Sequence, residues 1–199
     1  FLNMKKVILG ATGSIGSSLA KKLVESGEQV HLTGRDEAGL SELANKLNST
    51  FTTCDVLEEN FSEKIVNDLK DEPVNGLAYC VGSIDLKPLK LTKKSDFMQS
   101  FNLNLVSATD IIKSLADNLK ANKGSIVLFS TVAVKQGFPN HAIVSSAKGA
   151  VEGLTLALAA EYAPNIRVNC IAPSLTNSKI SNFLLKNENM AESIAKMHP

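Results

Sequence analysis

The sequence predicts an α/β domain built on a doubly wound parallel sheet, and three observations carry that prediction. Short apolar runs recur along the chain, each followed by a stretch with apolar residues at helical spacing. The first run opens into a glycine turn, Gly10-Ala11-Thr12-Gly13-Ser14-Ile15-Gly16, that leads directly into a helix pattern. No solenoid-length repeat and no low-complexity tract interrupts the alternation. A chain of 199 residues with 44% hydrophobic and 21% charged residues fits a single globular domain with a real core.

The elements follow in order. Val7 to Leu9 reads as a buried strand and Ser17 to Ser26 as a helix with Leu19, Ala20, Leu23 and Val24 on one face. Gln29 to Thr33 is a second strand, parallel to the first because a helix lies between them. Ala38 to Leu47 is helical, Thr50 to Cys54 is a β-branched and aromatic strand, and Glu58 to Leu69 is a third helix. Gly76 to Gly82 reads as strand four, and Ser83 to Leu91 as a loop broken by Pro88. Ser95 to Leu119 is one long helical pattern or two abutting ones, interrupted by Asn102 and Asn104, since asparagine is a poor interior helix residue. Gly124 to Ser130 reads as a fully buried fifth strand, and Thr131 to Asn140 as a loop. Ala142 to Tyr162 is the longest helix, and Ile166 to Ala172 a sixth strand halted by Pro173. A weak helix is expected over Asn189 to Met197.

Bulk properties exclude some functions. A net charge of +1 gives no case for nucleic acid or an anionic membrane surface. No apolar run looks long enough to cross a bilayer, and no signal-peptide core precedes the first strand, with Met4 as the expected native start. Cys54, Cys80 and Cys170 have no metal-ligand spacing and sit in apolar strand contexts, so they read as buried reduced thiols of a cytoplasmic protein.

The glycine turn has the context of a phosphate-binding loop. Gly10 and Gly13 let the backbone turn tightly and approach a pyrophosphate, and Gly16 lets the helix sit close on the strand. At the tip of strand two an acidic residue would bind a free ribose 2′-hydroxyl. Here the tip is Thr33-Gly34-Arg35-Asp36, which places an arginine to face a 2′-phosphate and favours NADP(H) over NAD(H). The alternative is a solvated Arg35 beside Asp36 as a helix N-cap. Asp55 either accepts from an adenine amino group or caps the next helix.

Together these residues resemble the short-chain dehydrogenase/reductase family over essentially the whole length. The glycine turn is similar to that family's Thr-Gly-x-x-x-Gly-Ile-Gly fingerprint, with Leu9 for Thr and Ser14 for the middle Gly. Asp55-Val56 falls at the adenine-contacting Asp, and Tyr79-Cys80-Val81-Gly82 at Asn-Asn-Ala-Gly, where only the glycine matches and the stabilisation of strand four must differ. Asn104 falls at the active-site asparagine, Thr131 at the catalytic serine and Lys148 at the catalytic lysine. Arg167-Val168-Asn169 through Pro173 matches the segment before Pro-Gly, with Ser174 for Gly. The resemblance implies a Rossmann-type sheet in the order 3-2-1-4-5-6. It also implies a cofactor surface made by Gly10, Thr12, Gly13, Ser14, Ile15, Gly16, Arg35, Asp55, Val56, Val81, Gly82, Lys148, Pro173, Ser174 and Thr176.

One departure stands out. The family's Tyr-x-x-x-Lys places its tyrosine at position 144, where this chain has Val144. Two readings follow: an NADP(H)-dependent oxidoreductase acting on a small carbonyl or alcohol, or a nicotinamide-nucleotide-binding protein without turnover. For the enzyme, His141 is the nearest titratable proton donor, and water ordered by Thr131 and Lys148 the rival. Residues 4–199 are expected to form one domain, with 174–199 as a substrate lid and the family's final strand absent after Pro199. The helices Ser95–Leu119 and Ala142–Tyr162 are expected to pair across a two-fold axis in a homodimer or homotetramer. Ala150, Gly153, Ala157 and Ala160 would permit close approach there, and Val151, Leu154 and Leu158 would bury apolar area.

Overall fold

The structure, a computed structural model, describes residues 4–176. The helix expected over 189–197 and all but the first residues of the expected lid lie outside the described residues. The strands are β1 (Lys5–Leu9), β2 (Gln29–Gly34), β3 (Thr50–Thr53), β4 (Val74–Tyr79), β5 (Ser125–Phe129) and β6 (Arg167–Ile171). They form one sheet, order β3-β2-β1-β4-β5-β6, with every pair parallel. Parallel neighbours need crossovers, and the helices α1 (Ser14–Glu25), α2 (Glu37–Leu47), α3 (Phe61–Leu69), α4 (Lys94–Phe101), α5 (Ser107–Ala121), α6 (Ala133–Gln136) and α7 (Ala142–Tyr162) provide them.

Strand alternation sends β1 into two cores. Val7 and Leu9 pack with α3, α5 and α7, while Ile8 packs with α1 and α2. β5 departs from the expectation of full burial. Ile126 and Leu128 are buried, whereas Val127 and Phe129 are only half-buried, because α7 covers one face at this end of the sheet.

Three further expectations are corrected. The segment after β5 carries a short helix, α6, preceded by a turn in which Thr131 Oγ1 accepts from the Ala133 N–H. The third helix begins at Phe61 because Asp55 accepts from the Leu57 N–H at 3.0 Å and turns the chain before it. Of the cysteines, Cys54 is buried while Cys80 and Cys170 are partly exposed, and all three are free thiols.

The long helical pattern resolves into α4 and α5 joined by a π-helical turn, Asn102–Val106. The asparagines that weaken the α pattern fall on this turn, and Ser107 Oγ donates to the Asn102 carbonyl at 2.8 Å.

By length and composition α7 would pass for a membrane span, contrary to expectation, since its most apolar window has a mean hydropathy of 1.3. Its packing is that of a sheet-covering helix. Val151 is buried in the core, and Leu154 and Leu158 pack against that core. These three residues therefore cover their own sheet and are not free for a two-fold contact, whereas Gly153, Leu156, Ala157 and Ala160 face outward.

Candidate cofactor and active site

Most of the predicted site residues follow the carboxyl ends of the six strands, where an open parallel sheet binds its ligands, while Asn104 comes from the π turn and Lys148 from α7. Gly10 has φ +73°, a left-handed conformation, and a methyl group there would lie 3.0 Å from the Cys80 carbonyl carbon and oxygen. A methyl group on Gly16 would run into the Gly10 carbonyl oxygen and lie 2.9 Å from Ala11 Cα. Gly13 is extended and less constrained, with its N–H donating to the Gly10 carbonyl at 3.0 Å. The turn is therefore a backbone cradle closed by glycines on both sides. The first turn of α1 holds no acidic residue and Gly13 supplies no side-chain cap, so the positive end of the helix dipole is left for an anion. Thr12 Oγ1 borders Gly34 at the end of β2.

At the tip of β2, Asp36 accepts from the Gly39 N–H at 3.1 Å, so this acid is the N-cap of α2. Arg35 is left outside the helix, largely exposed, with Nη1 3.5 Å from Asp55 Oδ2. Two residues predicted separately for the adenosine end thus form one ion pair. Val56, next to Asp55, is buried.

The candidate catalytic residues divide into two groups. Asn104 and Lys148 come together at Gly82. A methyl group on Gly82 would lie 3.1 Å from Asn104 Oδ1 and 3.2 Å from Lys148 Nζ. Asn104 is 1% exposed. Its Nδ2 donates to the Ser100 carbonyl at 2.8 Å and to Ser100 Oγ at 3.3 Å, which fixes the amide and leaves Oδ1 without a partner among the described residues. Lys148 is buried without a carboxylate partner among the described residues, and burial pulls its ammonium down to about 8, offset only weakly by the Cys170 and Cys80 thiols. Burial in turn pushes the Cys80 thiol up to about 12.

Thr131 and His141 are less closely engaged. Thr131 Oγ1 accepts from the Ala133 N–H at 3.3 Å, which leaves the hydroxyl proton to point elsewhere. His141 precedes α7, with Nδ1 bonded to the Pro139 carbonyl at 2.8 Å and its ring edge-on to Phe138. No hydrogen bond among the described residues joins His141 to Thr131 or Lys148. Val144, at the family's tyrosine position, is buried one helical turn before Lys148. Past β6, the Pro173 carbonyl accepts from the Val132 N–H at 3.2 Å and ties that segment to the end of β5, and Thr176 Oγ1 donates to the Ser174 carbonyl at 3.1 Å.

Several supporting residues were not singled out from the sequence. The Tyr79 hydroxyl donates to the Leu103 carbonyl at 2.6 Å, so β4 is tied to the π turn by a side chain. The mismatch at positions 79–80 was the sequence signal that strand four is stabilised differently here. Ser130 is buried and donates to Glu152 Oε1 at 2.7 Å, while Lys135 reaches Glu152 Oε2 at 3.3 Å. Helical spacing puts Glu152 one turn past Lys148, but its partner on β5 has no local sequence signal.

Comparison with known proteins is consistent with this geometry. Residues 10–199 match the profile of a family described as enoyl-(acyl carrier protein) reductase. The chain is 33% identical over 174 residues to an L-fucose dehydrogenase of Oryctolagus cuniculus, covering 84% of this chain and 61% of that protein. It is 30% identical to dehydrogenase/reductase SDR family member 4 of Rattus norvegicus, covering 96% of this chain and 72% of that protein. Among solved structures, a protein of Beutenbergia cavernae described as an NAD(P)-dependent gluconate 5-dehydrogenase with bound NADP superposes with a TM-score of 0.88 at 25% identity, covering 98% of this chain and 81% of that one. The chain thus spans between about three fifths and four fifths of these relatives.

Proposed function

Since the chain belongs to the short-chain dehydrogenase/reductase family, we propose that it is an oxidoreductase that uses NADP(H) to interconvert a small carbonyl and its alcohol. One observation carries this reading. The glycine cradle and the polar pair meet on a single short segment: Gly10 packs against the backbone of Cys80 and Val81, and Asn104 and Lys148 flank Gly82. A dinucleotide laid along the sheet would have its phosphates at one end of that segment and its reactive ring at the other.

The residues fit such a group. Gly10, Thr12, Gly13, Ser14, Ile15 and Gly16 would hold the pyrophosphate, in a turn whose own backbone closes this tightly only while Gly10 and Gly16 lack a side chain. Arg35 would take the 2′-phosphate, and Asp55 with Val56 would border the adenine. Val81, Gly82 and Lys148 would hold the nicotinamide riboside, with Pro173, Ser174 and Thr176 opposite. The bound nicotinamide supplies or accepts hydride. Thr131, whose hydroxyl proton has no acceptor among the described residues, would orient the carbonyl oxygen.

The outward face of α4, the π turn and α7 carries exposed Met98, Val106 and Leu156, and α4 packs beside α7. Pairing of this face with its copy would give a dimer, and light scattering at micromolar concentration showing a monomer would refute it.

The test of the activity is a panel of small carbonyls with NADPH oxidation as readout, alongside NADPH binding by fluorescence. Tight binding with no carbonyl reduced would favour the second reading, a nucleotide-binding protein without turnover, for which Val144 is the specific observation. No NADPH binding at all would refute both.

A further inference from the structure

Carbonyl reduction needs a proton as well as a hydride, and the tyrosine that supplies it in the family is Val144 here. We propose that Lys148 is itself the proton donor, its ammonium giving the proton directly to the carbonyl oxygen; this rests on the oxidoreductase reading above.

Three features of the site support it. First, His141, the donor the sequence suggested, is committed through Nδ1 to the Pro139 carbonyl and sits at the start of α7, with buried Val144 lying between it and Lys148 along the helix. Second, Asn104 Oδ1 is buried and unpartnered among the described residues, and it borders the same point at Gly82 as Lys148 Nζ, at 3.1 and 3.2 Å from where a methyl group there would lie. An orphaned acceptor beside a buried donor is a costly arrangement unless a bound group completes it. Third, the described residues offer Lys148 no carboxylate partner. The groups facing it are the Cys80 thiol at the end of β4 and the Cys170 thiol on β6. On its own helix, the carboxylate of Glu152 is taken by Ser130 and Lys135. A lysine so placed releases its proton at about 8, within reach of neutral pH.

The step balances as follows. A nicotinamide held there would supply the hydride to the carbonyl carbon, and the C=O π pair would move onto oxygen. One Lys148 N–H bond breaks, an O–H bond forms, and the product is the alcohol. The neutral amine then takes a proton back from water. In the reverse direction the neutral amine accepts the alcohol proton.

Two measurements decide the matter. Competitive acetylation of the free protein with acetic anhydride, read by mass spectrometry, should show Lys148 labelling half-maximal near pH 8, well below the other lysines. A midpoint at or above about pH 10 overturns the proposal. The second measurement is reduction of diacetyl by NADPH. Arginine keeps the charge and the donors but does not release a proton. At saturating NADPH, Lys148→Arg should therefore lose turnover by at least about a hundredfold. Val144→Tyr combined with Lys148→Arg should recover it by restoring a hydroxyl acid. Turnover in Lys148→Arg within about threefold of wild type overturns the proposal, as does a comparable loss in His141→Ala. Wild type that binds NADPH and reduces no carbonyl overturns both the proposal and the reading it rests on. A Lys148 midpoint near pH 8 with a fully active Lys148→Arg overturns the proposal alone.

Discussion

His31 makes the stability of this fold dependent on pH. It lies on β2, 1% exposed, between two threonines of β3. Nδ1 is 2.8 Å from Thr50 Oγ1 and Nε2 is 2.9 Å from Thr52 Oγ1. The neighbours fix the tautomer. Lys5 Nζ donates to Thr50 Oγ1 at 3.3 Å, so the Thr50 hydroxyl proton goes to Nδ1. Thr52 Oγ1 donates to Asp68 Oδ2 at 2.6 Å, so it accepts from Nε2–H. The ring is neutral and every one of its polar atoms is used. Burial first, and then Lys5, pull His31 down from 6.5 to about 4, against the weaker opposing pull of Asp68 and Glu72.

The unfolded chain therefore binds the proton first. Stability is full above about pH 6.5 and falls as the pH drops toward 4, by about 3 kcal/mol in all. The carboxylates held below their ordinary range, Asp96 by the Lys93 N–H and Lys87 and Glu42 by Lys46, lose their contribution at lower pH, so the windows separate. Urea unfolding at pH 7, 6, 5 and about 4 should show this slope in wild type, and His31→Gln, neutral throughout, should lack it over the same window. An unchanged slope in His31→Gln would refute the assignment, whatever the variant's absolute stability.

Other expectations are open to direct measurement. Gly16→Ala should cost about 1–3 kcal/mol in urea unfolding and weaken NADPH binding at least about tenfold, with Gly13→Ala milder, because the former drives a methyl group into the Gly10 carbonyl and Ala11 Cα whereas at Gly13 the Gly10 carbonyl oxygen lies 3.1 Å away. Tyr79→Phe should cost about 0.5–1.5 kcal/mol by removing the hydrogen bond to the part-buried Leu103 carbonyl, and should lower turnover by loosening the turn that carries Asn104. Arg35→Ala should weaken NADPH roughly tenfold to a hundredfold and leave NADH unchanged in a fluorescence titration. Asp55→Asn should strengthen NADPH at most about fivefold, since an ion pair with one partner so exposed is worth no more than about 1 kcal/mol. Equal losses for both cofactors in Arg35→Ala would sink the 2′-phosphate role.

What the sequence by itself determined is local. Ala142 to Tyr162 is helical with the expected bounds because its apolar residues recur at helical spacing, and the parallel order follows from helices placed between strands. Gly10 and Gly16 were legible because the conformation and space that demand glycine belong to a turn of seven residues read in one pass. The tertiary structure decided which polar groups meet. Arg35 finds Asp55, and Asn104 and Lys148 converge at Gly82 from three separate elements. His31 meets Thr50, Thr52 and, through Thr52, Asp68. These pairings depend on strand register and on how far each helix slides along the sheet. The period of a sequence records which face a residue takes, whereas the partner across that face is set by the packing of elements distant in the chain.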